Sequence, residues 1–198
     1  VGDNRPEWYF AQMAAQCDRG VSVGLYSDLS AAEIEYIAQH SGCQFAIVED
    51  QEQVDKMVLI RERLPELKTV VYWRYKGLSG TEQGFVGLRE VLAKGREYES
   101  GHPEVFGQNI AAGQADDVCS IIYTSGVGGQ AKATLHSYRS LMADSRSFAD
   151  GEGFTAKDDF VSYLPPAWIT EQWLAFGCHL LSGGTINFAE NAETQRED

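Results

Sequence analysis

Short apolar runs of strand length alternate with helical patterns along the chain, and this alternation constrains the fold more than any other feature. Residues 21–26, 44–48, 69–73, 118–123, 160–164 and 185–188 each read as a strand. Helix signals fill the gaps. Pro6 stands in the first turn of a helix over residues 6–17. Ser30-Ala-Ala-Glu33 is a capping box, and Ile34, Ile37 and Ala38 follow at helical spacing. Asp50 and Gln53 open a helix with Val54, Met57 and Val58 on its inner face, ending before Pro65. Phe85, Leu88, Val91 and Leu92 mark another, ending near Tyr98. Ser137 precedes a helix carrying Leu141, Met142 and Phe148, and a last helix covers residues 168–181. Strand and helix in alternation build parallel, right-handed units, so the fold class is α/β, with helices packed on parallel sheets. The polar stretches 74–84 and 100–117 read as loops. The expected organisation is a first α/β subdomain over residues 1–100, a linker over 101–117, and the start of a second α/β unit over 118–198.

Charge narrows the function classes. Sixteen Lys and Arg against 29 Asp and Glu give a net charge of −13. Such a surface repels a phosphate backbone, which excludes broad non-specific nucleic-acid binding, and it argues against electrostatic docking on anionic lipid. A local phosphate site survives, because a few backbone N–H groups and one lysine outweigh a distant field. Cys17, Cys43, Cys119 and Cys178 form no Cys-x-x-Cys, and His40, His102, His136 and His179 are scattered, so no disulfide framework and no metal site held by protein side chains is expected. The cysteine usage points to a reducing, cytoplasmic setting. The longest uncharged stretch, residues 172–189, contains Gly183 and Gly184 with several polar residues and does not read as a membrane span. Both ends look abrupt, which suggests a piece of a longer protein.

The segment from Tyr123 to Ala133, Tyr-Thr-Ser-Gly-Val-Gly-Gly-Gln-Ala-Lys-Ala, carries the chemistry. It follows a buried strand directly. Gly126, Gly128 and Gly129 free the backbone to aim consecutive N–H groups at an anion, while Thr124 and Ser125 add hydroxyls and Lys132 a mobile positive charge. A flexible glycine turn with a solvated lysine is the plain alternative. A Walker A loop needs Gly-Lys-Ser or Gly-Lys-Thr, and Lys132 sits between two alanines, so that motif fails. Gly126-Val-Gly128-Gly-Gln-Ala131 matches the dinucleotide fingerprint in letters, but the fingerprint requires a helix opening at once, and the helix signal begins only at Ser137.

The same segment resembles the phosphate-binding signature of the AMP-forming acyl-CoA synthetases, typically Tyr-Thr-Ser-Gly-Thr-Thr-Gly-x-Pro-Lys-Gly followed by a Ser-His pair and a helix. Gly2-Asp-Asn-Arg-Pro-Glu-Trp8, Val23-Gly-Leu-Tyr26, Glu49-Asp-Gln-Glu-Gln-Val-Asp-Lys56, Ser162-Tyr-Leu-Pro-Pro-Ala-Trp168 and Gly183-Gly-Thr-Ile-Asn-Phe-Ala-Glu190 resemble the long-chain fatty-acyl branch, in the family's order. The resemblance implies part of the large N-terminal domain of an adenylate-forming enzyme. It implies a ligase using ATP, Mg²⁺ and CoA: a fatty carboxylate becomes an acyl-adenylate, and CoA then takes the acyl group. Thr124, Ser125, Gly126, Gly128, Gly129 and Lys132 would hold the ATP phosphates, and Trp168 and Glu171 match a region bordering the acyl tunnel. Peripheral membrane contact and a homodimer of the parent protein remain open under this resemblance.

The departures from the signature are specific. Val127 and Gly128 replace two threonines, Ala131 and Ala133 flank the lysine in place of proline and glycine, and Tyr138 stands where the family has histidine. Each hydrogen bond lost to a charged group costs about 1.5–3 kcal/mol. The family's Tyr-Gly-x-Thr-Glu, ribose-binding aspartate and late lysine have no match in this chain. No catalytic residue is therefore assigned within it, and these residues alone are expected to be inactive. A non-catalytic nucleotide- or acyl-binding relative with a degenerate loop is the leading alternative, and a dinucleotide-binding oxidoreductase the weaker one.

Overall fold

The computed structural model describes residues 1–77, 84–124 and 130–189. Its elements run α1 (Pro6–Cys17), β1 (Ser22–Val23), α2 (Ala31–Ser41), β2 (Phe45–Val48), α3 (Gln51–Ile60), β3 (Thr69–Tyr72), β4 (Phe85–Gly87), α4 (Leu88–Gly101) and α5 (Val105–Ala112). Then come β5 (Val118–Thr124), β6 (Lys132–Ser137), α6 (Tyr138–Glu152), β7 (Asp159–Ser162), α7 (Ile169–Glu171), a π-helical segment (Gln172–Gly177), α8 (Cys178–Ser182) and β8 (Thr185–Phe188). The α/β class read from the sequence is the class observed.

The chain divides into two units, residues 1–3 with 25–111 and residues 4–24 with 112–198. In the first, β2, β3 and β4 form a parallel sheet in that order, with Phe45 opposite Thr69 and Val70 opposite Phe85. Val48, Val70 and Val71 are buried from the sheet, and Ile34, Ile37, Met57 and Ile60 from α2 and α3. The Ser30 capping box forms as read: Ser30 Oγ accepts from the Glu33 N–H, and Glu33 returns a carboxylate to the Ser30 N–H at 2.9 Å. Phe85 opens a short strand rather than a helix. The polar stretch after Ser100 contains α5, whose residues are not buried, so no apolar stripe announced it.

In the second unit, Ser22 and Val23 pair in parallel with Ser120 and Ile121 of β5, which is why residues 4–24 group with the later half of the chain. A second parallel pair, β7 with β8, joins Asp159 to Thr185 and Ser162 to Phe188. β6 departs from the expectation of a loop running straight into a helix. It turns back antiparallel along β5, from Thr124 opposite Lys132 to Val118 opposite Ser137. Lys132–Leu135 is exposed and Leu135 is its one large apolar residue, so its sequence lacks the pattern of a buried strand. Among the described residues no helix is long and apolar enough to cross a membrane.

Candidate functional site

Thr124 ends β5 and Lys132 opens β6, and the two are directly opposed across the antiparallel ladder. Opposed residues in such a ladder share a face, so the hydroxyl and the ammonium leave the sheet on the same side. Both are exposed. The buried part of β5 anchors this mouth, with Cys119, Ser120, Ile122 and Tyr123 all enclosed. Ser125, Gly126, Gly128 and Gly129 lie outside the described residues. The donor chemistry at the two ends, one hydroxyl and one primary ammonium on one face, fits an anion.

The secondary structure after the glycines decides against the dinucleotide fingerprint. That motif presents a pyrophosphate to the N-terminus of a helix immediately after the glycines. Here Lys132–Ser137 is a strand, and the helix α6 starts only at Tyr138. Ser137 caps it, its Oγ accepting the Ser140 N–H at 3.2 Å. Tyr138 donates its hydroxyl to the Gln16 carbonyl at 2.7 Å, so it ties α6 to α1. Cys119 donates its thiol to the His136 carbonyl, and burial pushes the thiol up to about 11, away from nucleophile chemistry.

A second polar cluster lies between α1, β7 and α7, within the same unit. Glu171 has no exposed surface. Its Oε1 accepts the hydroxyl of Ser162 in a very short bond, the phenol of Tyr9 at 3.2 Å and Asn4 Nδ2 at 3.5 Å. Asn4 Nδ2 also donates to Ser162 Oγ and to the Leu164 carbonyl, both at 2.7 Å. Glu171 Oε2 is buried without a hydrogen-bond partner. Burial raises the Glu171 carboxyl, while the Ser162 and Tyr9 hydroxyls and the Leu164 backbone pull it the other way. Burial and the adjacent Glu171 push the Tyr9 phenol up as well. The neighbouring Gln172 accepts Gln12 Nε2 at 2.6 Å and donates to the Pro166 carbonyl at 2.6 Å.

Trp168, the other tunnel-region residue, is 45% exposed and Tyr163 is 50% exposed. They stand at the two ends of a Leu-Pro-Pro-Ala segment whose Ala167 is buried. Sequence reasoning reached Glu171 and Trp168 but not Asn4, Tyr9, Ser162, Gln12 or Gln172. The available signal was two adjacent polar residues, Glu171 and Gln172, opening an otherwise apolar helical run.

Comparison with known proteins places this architecture. The AMP-binding enzyme family matches residues 1–198. The chain belongs to the AMP-binding enzyme family. It is 27% identical over 194 residues to the long-chain-fatty-acid–CoA ligase ACSBG2 of Xenopus laevis, covering 96% of this chain and 26% of that protein. It is 28% identical over 191 residues to the long-chain-fatty-acid–CoA ligase heimdall of Drosophila melanogaster, covering 94% of this chain and 28% of that protein. The chain thus spans about a quarter of the length of these relatives. In fold it matches the anthranilate CoA ligase AuaEII in complex with anthranoyl-AMP, with TM-score 0.73, 20% identity, and 97% of this chain and 35% of that one covered. ATP-bound MatB from Rhodopseudomonas palustris matches with TM-score 0.65, 18% identity, and 94% and 33% covered. Membership of the AMP-binding family accords with the resemblance carried by the loop and the flanking motifs.

Proposed function

We propose that the protein containing this chain is an ATP-dependent fatty-acid:CoA ligase, and that this chain contributes its ATP-phosphate loop. The carrying observation is the opposed Thr124 and Lys132 at the ends of the glycine-rich segment, in a chain of the AMP-binding family. In this reading Thr124, Ser125, Gly126, Gly128, Gly129 and Lys132 hold the β- and γ-phosphates with their Mg²⁺. Lys132 offsets phosphate charge, and the hydroxyls and backbone N–H groups fix the orientation of the triphosphate. A fatty carboxylate oxygen attacks the α-phosphorus and pyrophosphate leaves. The CoA sulfur then attacks the acyl carbon, its proton is lost, and AMP leaves. Trp168 offers its exposed indole to the acyl chain, and Glu171 serves the same region from within the fold. The reading places the protein in the cytoplasm, with peripheral contact at the membrane where fatty acids partition; sedimentation of the complete protein tests the homodimer.

Fatty-acid-dependent ATP–pyrophosphate exchange in the complete protein tests the reading. Exchange above the no-acid background is expected, rising when Val127→Thr and Gly128→Thr restore the two family hydroxyls. A protein that binds ATP but shows no exchange, with or without those replacements, is the non-catalytic relative instead.

A further inference from the structure

The central carbonyls of the segment Tyr163–Trp168 are all satisfied, two by side chains from outside it and one by the segment's own turn. The Leu164 carbonyl accepts Asn4 Nδ2 at 2.7 Å, the Pro165 carbonyl accepts the Trp168 N–H at 2.9 Å, and the Pro166 carbonyl accepts Gln172 Nε2 at 2.6 Å. The two prolines fix φ and leave no N–H to satisfy. Gly24 passes directly over the segment: a Cβ there would stand 2.9 Å from Ala167 Cα and 3.2 Å from Trp8 Cζ2. The result is a rigid shelf that presents Tyr163 and Trp168 outward.

All the side-chain donors beneath the shelf except Gln12 and Gln172 converge on one group. Ser162 donates to Glu171 Oε1, Asn4 reaches Ser162, Leu164 and Glu171, and Tyr9 donates to Glu171. A core built for stability alone does not require this arrangement, since well-packed apolar residues of similar volume often replace even buried ion pairs without loss. A connected polar cluster does fix geometry: Ser162 Oγ accepts from Asn4 and donates to Glu171 Oε1, so moving one member costs the others their partners. Further chain can only add to the burial of Glu171, whose surface is already fully enclosed. It therefore reaches a ligand only through the residues it holds.

Resting on the ligase reading above, we infer that Glu171 is a positioning residue: through Ser162 and Asn4 it sets the Tyr163–Trp168 shelf, and thereby where the acyl chain is received. The test compares Glu171→Leu, Glu171→Gln and Tyr9→Phe in the complete protein. The readouts are KM for palmitate and for ATP in pyrophosphate exchange, and amide hydrogen exchange of the shelf against β5. In E171L, palmitate KM is expected to rise about tenfold with ATP KM unchanged. The Trp168 amide is expected to exchange at least tenfold faster while β5 amides keep their rates. E171Q retains a polar group of the same shape and should recover most of the palmitate KM. Y9F, which removes one hydroxyl at the margin, should move in the same direction by about two- to threefold and serves if E171L fails to fold. A wild-type protein without fatty-acid-dependent exchange overturns the ligase reading and this inference together. An active wild type whose E171L and Y9F variants keep palmitate KM overturns this inference alone. So does faster exchange spread evenly through shelf and β5, which marks a merely structural role.

Discussion

Ser162 at the end of β7 donates its hydroxyl to the carboxylate of Glu171 in α7, nine residues further on, and both side chains are fully enclosed. The bond joins a strand to the helix that follows it across a loop with two prolines, and Asn4 and Tyr9 of the α1 segment close the cluster from a third side. The energetics follow from burial. Removing the acceptor leaves enclosed donors with nowhere to point, which costs far more than a solvent-exposed hydrogen bond would.

Glu171→Ala is therefore expected to destabilise the protein by about 2–4 kcal/mol, combining the orphaned donors with the cavity left behind. Glu171→Gln retains an acceptor for Ser162 and should cost less than half of that. Urea unfolding of the two variants beside wild type measures the difference. Equal losses would mean that volume, and not hydrogen bonding, is what Glu171 contributes.

The same carboxyl predicts a pH dependence. Burial raises its pKa in the folded protein, so the folded state holds the proton more tightly than the unfolded chain. The stability it contributes is fully present below the unfolded value of about 4.3 and declines as pH rises towards the raised folded value. Glu171→Gln does not ionise and escapes this decline. Unfolding free energies across pH 4 to 7 should show the variant gaining on wild type as pH rises, then a plateau. A difference independent of pH would show that the carboxyl is not perturbed.

Much of this fold was legible because its signals are local. The Ser30–Glu33 box and the Asp50 cap each lie within one turn and were realised as read; of the stripe Val54, Met57 and Val58 the first two are buried, while Val58 is exposed and Ile60 is buried instead. β6 was not legible, since an exposed edge strand is defined by its partner β5 and not by its own pattern. β1 was read over residues 21–26, but only Ser22 and Val23 find a partner, and pairing depends on β5 nearly a hundred residues away. The Glu171 cluster shows the same limit. Glu171 was reached by resemblance, while Asn4 and Ser162 are separated by 158 residues and meet only once the elements around them have formed.

Gly177 offers a test of packing beside the same helix. A Cβ there would stand 2.0 Å from Ser145 Oγ and 2.8 Å from Ser145 Cβ, so α6 and the π-helical segment meet at this point without room for a methyl group. Gly177→Ala is expected to cost about 1–3 kcal/mol. Adding Ser145→Ala should recover little, because Ser145 Cβ remains; adding Ser145→Gly should recover more. The double-variant cycle by urea unfolding reads the coupling. Additive losses would show that the two helices separate freely.

Lys132 provides the sharpest test of the phosphate loop, because it is exposed and its replacement should leave the fold intact. A charge-assisted contact is worth about 1.5–3 kcal/mol, which converts to a rise of roughly 10- to 150-fold in the apparent KM for ATP. Lys132→Ala in the complete protein should show that rise in pyrophosphate exchange, with palmitate KM unchanged within about twofold. Lys132→Arg should fall between, since guanidinium keeps the charge but not the compact reach of an ammonium. The pattern to be expected is thus opposite to that of Glu171→Leu, which moves the acyl parameter and leaves the nucleotide one. If Lys132→Ala leaves ATP KM unaltered in an active enzyme, the lysine is only a solvated cation at a hairpin mouth, and the triphosphate is held elsewhere.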